Sequence, residues 1–93
     1  MTFGQAIEAM KNGHRVARAG WNGKGMWIAY TPGSTIGVEQ ARSGAVLAVS
    51  IHEPAPNIVI DAHIDMRTAS GSVQPGWLAS QADMLADDWT VVT

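Results

Sequence analysis

The chain contains no cysteine. Disulfides, zinc–thiolate sites and thiol nucleophiles are excluded together. Charge is also scarce: 15% of residues are charged, against roughly 25% in ordinary soluble domains. With 46% hydrophobic residues, the chain is too apolar to be disordered. The same imbalance points to surface that is covered in an oligomer. No apolar run approaches the ~20 residues of a membrane span, and no basic segment leads into an apolar one as in a secretory leader. A cytoplasmic protein with no membrane partner is expected. Positive charge is lacking too. A net charge of −2 argues against a DNA or RNA duplex as partner, since such binders carry a basic face. A small anionic ligand is still compatible, because a few local donors can hold one. The 93 residues supply a single domain, residues 1–93, without internal repeat or low-complexity segment.

Against one phenylalanine and one tyrosine stand four tryptophans: Trp21, Trp27, Trp77 and Trp89. Large rings stabilise a small core. They also make stacking platforms for flat ligands such as nucleobases. Context separates the two uses.

Residues 2–12 read as a helix. Thr2 with Gln5 forms a capping box, and Phe3, Ala6, Ile7 and Met10 share one face. Gly13 marks its end. Residues 14–19 read as a strand. Gly20 to Gly25 form a turn containing Asn-Gly, and Met26 to Thr31 return as a second strand, so a hairpin is expected. Residues 34–59 stay open. Val38, Ala41, Ala45 and Ala48 would line a helix face, yet Val46 to Ile51 would serve equally as a strand. Pro54 and Pro56 place a loop there. Residues 58–68 alternate throughout and predict one long strand. Ile58, Ile60, Ala62, Ile64 and Met66 lie on one face, with Val59, Asp61, His63, Asp65 and Arg67 on the other. A short strand follows at Val73 to Pro75. Ser80 and Asp83 cap a second helix, which Met84 and Leu85 serve as apolar residues, and Trp89 to Val92 close as a strand. The expected fold is α+β: a single antiparallel β-sheet, an N-terminal helix and a short C-terminal helix.

Chemistry has few places to sit. His63 and Asp65 project together, roughly 6.5–7 Å apart along a strand. They would suit a metal ligand pair or an acid–base pair. A metal needs further ligands, and His14 and His52 stand in unrelated contexts. No metal site and no cofactor are expected. A solvated or interface face with Asp65 paired to Arg67 explains the pattern more simply. The turn GWNGKG offers backbone N–H groups and Lys24 to a phosphate. It is not a P-loop, because it lacks the lysine–hydroxyl ending and no helix follows. Trp21 in a hairpin tip is poorly placed for burial in its own core and well placed to cover a ligand or a neighbouring subunit. Trp77 sits at a loop-to-helix junction, where an aromatic plane beside helix N–H groups suits a base and its phosphate. Trp89 alternates with Val91 and reads as core.

The stretches TFGQAIEAMKNG (Thr2 to Gly13), VARAGWNGKGMW (Val16 to Trp27), HIDMRTASG (His63 to Gly71) and GWLASQADMLADDW (Gly76 to Trp89) together resemble the Thoeris anti-defence family of the second type. These are small phage and prophage proteins. The resemblance implies a non-enzymatic sponge acting in the cytoplasm of the infected host bacterium. Such proteins bind the cyclic nucleotide signal made by a TIR-domain enzyme, glycocyclic ADP-ribose, and some take cyclic di- or trinucleotides. They assemble as homotetramers with pockets between subunits. Carried onto this chain, Trp21 and Trp77 stack or cap the base. Asn22 and Asp83 bond its polar edges or ribose hydroxyls. Arg18 or Arg67, with Lys24, meets phosphate. Met26, Trp27, Leu78, Ser80 and Gln81 complete the expected ligand-binding set. Two other readings compete: a small nucleotide hydrolase using His63 with Asp65 or Asp61, and an interaction module whose tryptophans only join subunits.

Overall fold

A computed structural model describes residues 1–93. The chain forms two compact units, one of residues 1–31 with 63–93 and one of residues 32–62.

In the first unit, helix α1 (Phe3–Lys11) starts with the expected capping box. Thr2 Oγ1 accepts from the Gln5 amide at 3.2 Å, and Gln5 Oε1 accepts from the Thr2 amide at 2.8 Å. Ala6 and Met10 form its buried stripe. Strands β1 (Val16–Arg18) and β2 (Trp27–Thr31) pair antiparallel with Val16 opposite Ile28, as the hairpin reading requires. The next elements along the chain, between residues 34 and 60, lie in the second unit. Strands β5 (His63–Arg67), β6 (Val73–Gln74) and β7 (Trp89–Val91), with helix α3 (Gln81–Leu85), complete the first. Its sheet has five strands in the order β6-β5-β2-β1-β7, each pair antiparallel. The two ends of this unit therefore meet, β1 lying beside β7.

Period-two alternation decides which side chains enter the core. Val16, Ile28, Met66 and Trp89 point inward with Ala6 and Met10 from α1. Trp89 is 0% exposed, as its reading as core expects, whereas Val91, two residues on, is 46% exposed. Arg67, Asp65 and His63 stand opposite Trp27, Ala29 and Thr31 on the other face. Met84 and Leu85 of α3 are exposed instead of facing the core, so this five-residue helix is held by its cap and by Ala86 packing.

The second unit holds β3 (Ser34–Gly37), a 3₁₀ turn (Val38–Gln40), α2 (Gly44–His52) and β4 (Asn57–Ile60). β3 and β4 form a separate two-stranded antiparallel sheet. Ala41 and Ile58 are its buried residues. Two expectations are corrected here and one open alternative is settled. There are two sheets, not one. The segment 44–52 is a third helix, which settles the open alternative. The long strand 58–68 is two strands, broken at Asp61 and Ala62. Alternation is blind to such a break, because one extended residue looks like the next whichever sheet it joins.

Candidate functional site

The site is built around Asp83, in the first turn of α3. Ser80 caps this helix: its Oγ accepts from the Asp83 amide at 3.1 Å, and Asp83 Oδ2 accepts from the Ser80 amide at 3.2 Å. The cap leaves Asp83 Oδ1 turned to the sheet. There it accepts from Arg18 Nη1 at 2.9 Å and from Trp21 Nε1 at 3.1 Å. The Asp83 carbonyl accepts the Trp89 indole N–H at 2.9 Å. One short helix thus satisfies two indole donors that partial burial would otherwise leave unpaired.

Three rings gather over this helix. Trp21 lies edge-on to Trp89, centroids 5.3 Å apart at 80°. Trp77 stands 6.1 Å from Trp21 and 6.4 Å from Trp89, again edge-to-face. Phe3 packs on Trp89 at 5.2 Å. Edge-to-face pairs contribute about 0.5–1.5 kcal/mol each beyond area burial. Trp89 is fully enclosed, whereas Trp21 and Trp77 are half-buried. Trp21 therefore does pack against its own core, which corrects the expectation for a hairpin tip. Both residues remain partly exposed.

Arg18 is engaged twice. Besides Asp83, its Nε donates to Asp88 Oδ1 at 2.8 Å, and Asp88 Oδ2 accepts the Gly20 amide at 2.8 Å. A Cβ at position 20 would lie 2.8 Å from Asp88 Oδ2, so a larger residue there would displace this carboxylate. The hydrogen bond from Arg18 holds the Asp88 carboxyl below the usual aspartate value. Burial pushes Asp83 up, but the bonds from Arg18, Trp21 and Ser80 outweigh it and leave Asp83 low as well. Asp88 escaped the sequence reading. Its only trace there is an acidic residue directly before a core tryptophan. Its partner is 70 positions away, visible only once β1 and β7 pair.

A sequence match covers residues 1–92 and is described as the Thoeris anti-defense 2-like domain. A protein of Bacillus phage SP01 named Thoeris anti-defense 2 is 34% identical, over 100% of this chain and 96% of its own length. The chain belongs to the Thoeris anti-defense 2-like family. That membership supports an anti-defence role.

Of the residues carried over from the family resemblance, the structure brings together Arg18, Trp21, Trp77, Ser80 and Asp83. Met26 packs against the same core. Asn22 and Lys24 are exposed in the turn beside Trp21, and Gln81 is exposed on α3. Leu78 follows Trp77 and is 89% exposed. Trp27 is not part of the cluster. It lies on the opposite face of the sheet, with the Arg15 guanidinium 5.1 Å above its ring. Arg67 is exposed on that face too. The expected Asp65–Arg67 pair does not form. Asp65 instead accepts from Thr31 Oγ1 at 2.5 Å, from His63 Nδ1 at 2.9 Å and from the Gly76 amide at 2.9 Å. No helix of this family member is long and apolar enough to cross a membrane.

Proposed function

We propose that the chain sequesters a cyclic nucleotide immune signal, glycocyclic ADP-ribose or a cyclic di- or trinucleotide, and releases it chemically unaltered. The observation that carries this reading is the pair of half-buried indoles, Trp21 and Trp77, packed edge-to-face, with Trp21 bonded to the Asp83 carboxylate, in a member of an anti-defence family. A base stacked on either of these partly exposed residues would gain about 1–3 kcal/mol. Nanomolar capture needs about −12 kcal/mol, so stacking supplies only part. Charge-assisted bonds to the pyrophosphate supply more. Arg18 is already held by two carboxylates, which leaves Lys24 as the freer phosphate partner beside Trp21. Asn22 and Asp83 serve polar edges or ribose hydroxyls, with Ser80, Gln81, Met26 and Leu78 around them. Neither compact unit encloses a pocket of its own. The cavity in this reading is shared between copies, as in a homotetramer.

Calorimetry with glycocyclic ADP-ribose tests the reading. Saturable binding is expected, weakened at least tenfold by Trp21→Ala or Trp77→Ala. Absence of binding, or affinity indifferent to both rings, rejects it. Recovery of a cleaved nucleotide after denaturation would favour the hydrolase reading through His63.

A further inference from the structure

The His63–Asp65 pair is the one motif that the ligand account leaves unused, and its surroundings are specific. Asp65 lies on the sheet face opposite the core, at the middle of β5. Its carboxylate collects three donors from three parts of the chain. These are the Thr31 hydroxyl at the end of β2, the His63 Nδ1–H two residues back, and the Gly76 backbone N–H of the loop leading to α3. The third is the informative one. β6 covers only Met66 and Arg67 of β5, so the carbonyl of Ile64 lies beyond its reach. The Trp77 amide donates to that carbonyl at 2.7 Å. Two successive amides, Gly76 and Trp77, are thus fastened to two successive residues of β5, Asp65 and Ile64. Gly76 has φ of +70°, the left-handed conformation that turns the chain here and that glycine alone adopts without cost.

We infer that Asp65 is a positioning residue: its carboxylate, oriented by Thr31 and His63, clamps the Gly76 amide and thereby sets the place and stiffness of the Trp77 ring that walls the ligand. The inference rests on the reading that Trp77 touches ligand. His63 then has no chemical step to perform. Its role is to hold the carboxylate, an outer support of the kind that fixes contact groups elsewhere. Ordering the loop before ligand arrives lowers the entropy lost on binding. Loosening it therefore appears mainly in the rate of release.

The test uses the full chain and glycocyclic ADP-ribose, with release followed by surface plasmon resonance and amide protection followed by hydrogen exchange. Asp65→Ala is expected to raise the release rate at least tenfold, with the association rate changed less than threefold. Exchange should accelerate at Gly76 and Trp77 but not at the amides of β1 or β7. Asp65→Asn keeps a carbonyl oxygen for the Gly76 amide and should recover most of the loss. Thr31→Val, which removes one support, should fall between. If Asp65→Ala does not fold, the release rates of Asp65→Asn and Thr31→Val decide: both unchanged from wild type overturns the inference. Release unaltered in a folded Asp65→Ala overturns it too, as does faster exchange throughout the unit, which would mark a general loss of stability. Trp77→Ala separates the two levels. Unchanged binding in that variant defeats the ligand role of Trp77, whereas weakened binding there with Asp65→Ala unaffected defeats the positioning role alone.

Discussion

At the residue scale, Asp83 does the work of several groups. It caps α3, holds the Trp21 indole and neutralises Arg18. Asp83→Ala removes all three functions together. The Trp21 N–H alone, left without a partner in a partly buried position, costs about 1–3 kcal/mol. Chemical denaturation should show at least that loss, with the Trp21 fluorescence moved by release of the ring. Asp83→Asn retains an acceptor for the indole and should cost less. Equal stability of wild type and Asp83→Ala would mean that the hub carries no energy. Asp88 plays the lesser part, fixing Arg18 and the Gly20 amide from the other side.

At the element scale, α3 is short enough that its cap decides its existence. Helices of five residues do not persist on propensity, and this one exposes Met84 and Leu85. Ser80→Ala removes the acceptor of the Asp83 amide and should cost about 1 kcal/mol, read as a lowered denaturation midpoint. Weaker binding should accompany it, because the same turn presents Asp83 to Trp21. Both helix starts were legible in the sequence because a capping box is a local contact, three residues across. The hairpin of β1 and β2 was legible for the same reason. Elements that depend on distant pairing were not. β3 finds its partner in β4, twenty or more positions on, and nothing in Ser34 to Gly37 announces it. Helix α2 carries Ala45, Val46, Leu47, Ala48, Val49 and Ile51 on every side, so no period of 3.6 or 2 separates helix from strand. The candidate ligand residues divide likewise. Trp21 and Trp77 stand out by type and by neighbouring glycines, whereas Asp88 and the Thr31–Asp65–Gly76 bonds need the folded register to bring them together.

At the scale of the whole molecule, three carboxylates share one electrostatic condition. Asp88, Asp83 and Asp65 all have values held below the ordinary aspartate range. Arg18 does this to Asp88. For Asp83 and Asp65 burial raises the value but hydrogen bonds outweigh it. A depressed folded value means that the ionised form favours the native state. The stabilisation is complete above the unfolded aspartate value of about 3.9 and is lost as pH falls through the lower folded values. Thermal midpoints should therefore hold steady from neutrality down to pH 5, then fall steeply below about pH 4. Asp83→Asn should flatten that acid limb. An identical limb in the variant would show that Asp83 is not linked to folding.

The proposed activity is capture of a cyclic nucleotide between copies of the chain, with the nucleotide left intact. A native mass spectrum of the protein with glycocyclic ADP-ribose tests this most directly, since it reports subunit number, ligand count and ligand mass together. A multi-subunit species carrying ligand at its unaltered mass is expected, with loss of that adduct in Trp21→Ala. A single subunit that retains no nucleotide, or an adduct heavier by one water, would contradict it.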